Sequence, residues 1–139
     1  MNAYIDSSVL LRVALDQPGQ FKDFSKIDLA ISSSILKSEC LRTLDRLVTI
    51  KHLSEDERLK ASGNLFQAFD YLELVSISDA ILDRVAEPLG LNLGTLDAIH
   101  LFSAVSWKQE KQQSLAFITH DIALGKAAMI LGFEVFGIL

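Results

Sequence analysis

Short apolar runs alternate with amphipathic segments along almost the whole chain, and that alternation points to a parallel α/β fold. The runs Ala3-Tyr4-Ile5, Leu29-Ala30-Ile31-Ser32, Leu72 to Ile77, Leu115 to Thr119 and Phe133 to Phe136 have the length and composition of strands. Helical stretches lie between them. Ser7 or Ser8 caps one that runs to about Ala14, before the turn-forming Asp16-Gln17-Pro18-Gly19. Ser33 or Ser34 caps a second, in which Leu36, Cys40, Leu44 and Leu47 recur at steps of three and four. Ser54-Glu55-Asp56-Glu57 matches a capping box and opens a third towards Phe69. Ser78 caps a fourth, with Ile81, Leu82, Val85 and Leu89 on one face. Thr95 starts a fifth, of roughly three turns and ending near Trp107. Ile122 to Leu131 forms the last, closed by Gly132. The expectation is a single α/β domain, with a central parallel sheet of about five strands and helices on both faces.

Composition supports a packed domain. Of the 139 residues, 50% are hydrophobic and 22% charged, enough apolar material for a core and too much for intrinsic disorder. No apolar run approaches the roughly 20 residues of a membrane span. Met1-Asn2-Ala3-Tyr4-Ile5-Asp6 lacks the basic start of a signal peptide. The lone Cys40, read as a small core residue, rules out an internal disulfide and a multi-cysteine zinc site. A cytoplasmic protein with no membrane partner is expected. The mean hydropathy of +0.30 suggests an apolar surface that a partner covers.

In parallel α/β sheets, ligands bind beyond the carboxyl ends of the strands, near the point where strand order reverses. Asp6 directly follows the first strand and Asp121 lies two residues beyond the fourth. Asp97 falls in the first turn of its helix, where the helix dipole favours a carboxylate. Glu39 borders the buried face of the second helix. Singly, each reads more readily as a helix cap or a solvated edge residue than as a ligand. Each also adjoins an apolar segment, where gathered carboxylates repel one another unless a divalent cation joins them. Oxygen-only donors select hard ions such as Mg²⁺ or Mn²⁺ over zinc. The net charge of −5 argues against an electrostatic nucleic-acid binder, but these four acids would account for four of the five charges.

Tyr4-Ile5-Asp6-Ser7-Ser8, Ser38-Glu39, Leu96-Asp97-Ala98-Ile99-His100-Leu101 and Ile118-Thr119-His120-Asp121 stand in the order of the PIN-domain family, and the chain resembles its VapC-type toxin ribonucleases. The resemblance implies a five-stranded parallel sheet and a Mg²⁺- or Mn²⁺-dependent endoribonuclease that acts on RNA. It implies Asp6, Glu39, Asp97 and Asp121 as metal-binding, catalytic acids, with Ser7 or Ser8 and Thr119 buttressing them. It also implies a cognate antitoxin as partner, and a homodimer is expected. His100 reads as structural rather than as a general base, and Trp107 as packing or dimer contact. Arg42 and Arg46 share a helix with Glu39 and are candidates for RNA-backbone contact. A housekeeping RNA-processing or DNA-directed nuclease is the alternative. A receiver-type signalling domain fits poorly, because no lysine follows Phe136 and Lys126 falls inside a helix.

Overall fold

The computed structural model describes residues 1–88 and 90–138. The elements run β1 (Asn2–Ile5), α1 (Ser7–Ala14), a 3₁₀ turn (Phe24–Lys26), β2 (Leu29–Ser33), α2 (Leu36–Thr49), α3 (Glu55–Phe69), β3 (Leu72–Val75), α4 (Asp79–Ala86), α5 (Thr95–Lys111), β4 (Ala116–Ile118), α6 (Ile122–Ile130) and β5 (Glu134–Phe136). The five strands form one sheet in the order β3-β2-β1-β4-β5. Every pairing is parallel. The expected α/β architecture is therefore the observed one.

Strand order explains the two helical layers. The chain steps outward from β1 to β2 and β3, then crosses to the other side of β1 for β4 and β5. Right-handed crossovers place helices on opposite faces for the two directions of travel. Alternation along β1 serves both layers. Ala3 and Ile5 pack with Val9, Leu36, Cys40, Leu44 and Leu65 beneath α1, α2 and α3. Tyr4 faces the other way, towards Leu101, Trp107, Phe117 and Leu124 beneath α5 and α6. Tyr4 and Phe117 are register partners on neighbouring strands, and their rings stack at 5.1 Å between centroids. Leu44 is almost wholly buried, so Leu44→Ala would cost about 2–5 kcal/mol.

Local chemistry explains most element boundaries. The capping box at Ser54 is complete, with the Glu57 amide donating to the Ser54 hydroxyl and Glu57 accepting from the Ser54 amide, each at 3.1 Å. Ser78 caps α4 by accepting from the Ile81 amide. On α4 only Ile81 is buried, whereas Leu82 is 43% exposed, so the expected apolar face is narrower; Leu89 lies outside the described residues.

Several boundaries differ from expectation. Asp6, not Ser7 or Ser8, occupies the residue before α1, and both serines are helical. Neither Ser33 nor Ser34 caps α2, which starts at Leu36 after Ile35; the Ser33 hydroxyl instead accepts from the Ile35 amide in the preceding turn. β3 stops at Val75 rather than Ile77, and β4 spans only Ala116–Ile118. α5 runs to Lys111, a turn beyond Trp107, and stops where Gln112 turns left-handed with φ +54°. Trp107 is buried, and its indole donates to Glu73, which fits packing. No helix among the described residues is long and apolar enough to cross a membrane.

Candidate active site

The reversal of strand order falls between β1 and β4, and Asp6 leaves the sheet there. Its amide donates to the Ile118 carbonyl at 3.3 Å, which ties the end of β1 to the end of β4. The Asp6 side chain is 3% exposed. Two hydroxyls serve its carboxylate: Ser8 donates to Oδ1 at 2.6 Å and Thr119 to Oδ2 at 2.7 Å. These bonds come from Ser8 and Thr119, not from Ser7. The same hydroxyls hold the β4–α6 turn, because Thr119 accepts from the Asp121 amide at 3.0 Å and Ser8 from the His120 amide at 3.0 Å. Burial raises the Asp6 carboxyl above its ordinary value, while the Ser8 and Thr119 hydroxyls pull it back.

Asp121 is the residue before α6, and its Oδ1 accepts from the Leu124 amide at 2.8 Å. It is thus a helix cap, as it reads in isolation, and its second oxygen has no protein donor among the described residues. Asp97 lies in the first turn of α5, half-buried. Burial is the main reason its carboxyl is raised, and the negative charges of Asp121, Asp6 and Glu39 add to the rise. Asp97 therefore feels all three other acids, which arrive from β1, from α2 and from the β4–α6 turn.

Glu39, one turn into α2, is 13% exposed, and its Oε1 lies 2.7 Å from His100 Nε2. His100 is 1% exposed, and its Nδ1 meets the Tyr4 hydroxyl at 2.7 Å. Sequence reasoning set these two partners aside; the available signal was a tyrosine in a buried central strand and a histidine one turn past Asp97. Cys40 packs close by, and burial followed by the Glu39 and Asp6 charges pushes its thiol up to about 12.

The donor set is all carboxylate oxygen, which suits a hard divalent ion. Among the described residues no group of three or more His, Cys, Asp or Glu side chains is placed to hold a metal ion. Mg²⁺ does not need one, since it keeps several waters and takes one or two carboxylates directly. Mutual repulsion at Asp97, which a cation would relieve, is the feature that fits a metal.

A family model described as the PIN domain matches residues 3–129. The chain belongs to the PIN-domain family. Its membership removes the receiver-type alternative. This PIN domain is 29% identical over 138 residues to Ribonuclease VapC46 of Mycobacterium tuberculosis, a match that covers 95% of this chain and 94% of the relative. A crystal structure of VapBC2 from Rickettsia felis, bound to a DNA fragment from their promoter, superposes with a TM-score of 0.67 at 15% identity and 98% coverage of both chains. At that identity the likeness bears on the fold alone.

Proposed function

We propose that this PIN domain is a divalent-metal-dependent endoribonuclease, the toxin of a toxin–antitoxin pair. The raised Asp97 carboxyl, opposed by Asp121, Asp6 and Glu39, carries the metal part of this reading. The likeness to a named VapC ribonuclease along nearly the full length of both chains supports the RNA part. Asp6, Glu39, Asp97 and Asp121 are the acids that would hold Mg²⁺ or Mn²⁺. A bound divalent ion supplies an activated water and stabilises negative charge on the scissile phosphate.

The protein's own side chains do the arranging. Ser8 and Thr119 aim the buried Asp6 carboxylate through one bond to each oxygen. The Leu124 amide fixes one oxygen of Asp121 and leaves the other available. Arg42 and Arg46 are exposed on the helix that carries Glu39, where they can meet phosphates flanking the cleaved bond. An antitoxin partner belongs to the same reading, since a toxin of this kind needs one to silence it. A groove of about 500 Å³ between α1 and α3, lined by Leu10, Val13, Phe24, Leu65, Ala68 and Tyr71, offers apolar surface of the kind such a partner or a second copy covers.

The test is cleavage of single-stranded RNA by purified protein. Cleavage is expected with Mg²⁺ or Mn²⁺, not with EDTA, and not by Asp97→Asn folded as judged by circular dichroism. Equal cleavage by that variant, or cleavage indifferent to EDTA, overturns the assignment. Growth arrest on expression, relieved by a co-expressed antitoxin, separates a toxin from a housekeeping nuclease.

A further inference from the structure

The Tyr4–His100–Glu39 chain joins the two helical layers. Tyr4 lies on β1, His100 on α5 over one face of the sheet, and Glu39 on α2 over the other. Both of its links are 2.7 Å long, and the residues of the second are 61 positions apart in sequence. Beside the apolar Leu101, Phe117, Ile31 and Leu36, such a polar chain calls for a reason beyond packing.

Hydrogen accounting selects one polarity for a neutral imidazole. An ionised Glu39 carboxylate can only accept, so the imidazole nitrogen 2.7 Å from it must carry a hydrogen. If Nε2 of a neutral imidazole carries the hydrogen, Nδ1 is bare and must accept, and the Tyr4 hydroxyl is placed to donate to it. The Tyr4 phenol is fully buried, and burial holds it well above its ordinary value, so it keeps that hydrogen. The opposite tautomer would set a nitrogen lone pair against a carboxylate oxygen. This arrangement also excludes His100 as general base. Both of its ring nitrogens are engaged and its side chain is 1% exposed, so no water-borne proton reaches it.

We propose that His100 is a positioning residue: held in its Nε2–H tautomer between Glu39 and the Tyr4 hydroxyl, it fixes the Glu39 carboxylate in the orientation that receives the metal. The proposal rests on the metal-nuclease reading of the four acids. Glu39 reaches the site from a different helical layer than Asp97, and this hydrogen-bonded link ties it to the helix that carries Asp97. Residues that orient metal ligands in this way typically cost about 10–100-fold in metal affinity when replaced.

Two measurements test it. Long-range ¹H–¹⁵N NMR of the metal-free protein near pH 8 should show His100 protonated at Nε2 and bare at Nδ1, and Tyr4→Phe should keep that tautomer while shifting the Nδ1 resonance. An Nδ1–H form or an imidazolium in the wild type overturns the assignment. Mn²⁺ titration followed by electron paramagnetic resonance then compares two variants of matched thermal midpoint. In His100→Gln the amide nitrogen replaces Nε2, so most of the Mn²⁺ affinity is retained. His100→Asn reaches only the Nδ1 position and should lose about 10–100-fold. Equal weakening in both variants, with wild-type binding intact, overturns the positioning role alone. Absence of Mn²⁺ binding by the wild type overturns the metal reading instead.

Discussion

Thr119→Val is the sharpest probe of how the site is built, because it keeps the side chain's shape and removes one hydroxyl. Thr119 is fully buried; its Oγ1 donates to Asp6 and accepts from the Asp121 amide. Loss of a hydrogen bond to a charged group costs about 1.5–3 kcal/mol, and an amide left without an acceptor costs about 1–3 kcal/mol. The Asp121 amide is only part-buried, so its share lies at the lower end. The sum is about 2.5–4 kcal/mol, a large part of a domain's usual stability of about 5–15 kcal/mol. With a urea slope of about 2 kcal/mol/M, the unfolding midpoint should fall by roughly 1.2–2 M. Thr119→Ser keeps both bonds and should cost only about 1 kcal/mol, the value of one buried methyl group.

The penalty also has a pH signature. The Asp6 carboxyl is raised in the folded protein, so just above the ordinary carboxylate range the folded chain holds a proton that the unfolded chain has released. Stability from this group therefore declines as pH rises through that window. Removing the Thr119 donor raises Asp6 further. In EDTA, the Thr119→Val penalty should be smaller at about pH 4 than at about pH 8. If Thr119→Val proves no weaker than Thr119→Ser, or its penalty is flat across that range, the hydroxyl does not hold an ionised Asp6 and the reasoning fails.

Asp97→Asn should raise the thermal midpoint of the metal-free protein at neutral pH, because ionised Asp97 is opposed by burial and by three neighbouring acids. It should also blunt the stabilisation that Mg²⁺ gives the wild type, and a lowered midpoint in EDTA contradicts the picture of a strained acidic cluster. Cys40, fully buried and with its thiol pushed up to about 12, should resist iodoacetamide at about pH 8 until urea unfolds the chain. Gly137 has φ +94°, and a Cβ there would run into the Thr119 carbonyl. Gly137→Ala should therefore destabilise by more than the ordinary cost of about 1–3 kcal/mol for backbone strain, as denaturant melts would show.

Much of the fold was legible in the sequence, since strand and helix periods alternate cleanly and Ser54 and Ser78 are unambiguous caps. Errors arose where neighbouring residues compete for one role. Asp6, Ser7 and Ser8 can all precede a helix, and only the Asp6 amide bonding to Ile118 decides which of them does. Lys108 to Lys111 continue α5 although they carry no apolar pattern, and the 3₁₀ turn at Phe24–Lys26 has no period to read. That Asp6 and Asp121 stand at strand ends, and Glu39 and Asp97 in the first turns of α2 and α5, followed from position along the chain. The bonds of Ser8, Thr119 and His100 are tertiary, linking residues 61 to 113 positions apart in three of the contacts. No local pattern encodes those.

The parallel pairing of β1 with β4 has a consequence for when the protein becomes active. Ala3, Tyr4 and Ile5 align with Ala116, Phe117 and Ile118, so the first strand finds one of its two central neighbours only near the far end of the chain. A growing polypeptide can assemble β1, β2 and β3 with α1, α2 and α3 and still have no Thr119 to aim Asp6, and no Asp121. Domains whose contacts span such distances fold late and slowly compared with locally connected ones. Three of the four acids would be synthesised well before the fourth, yet the pocket cannot close until β4 docks. The order of synthesis itself thus acts as a delay, keeping the four acids from meeting until the chain is nearly finished.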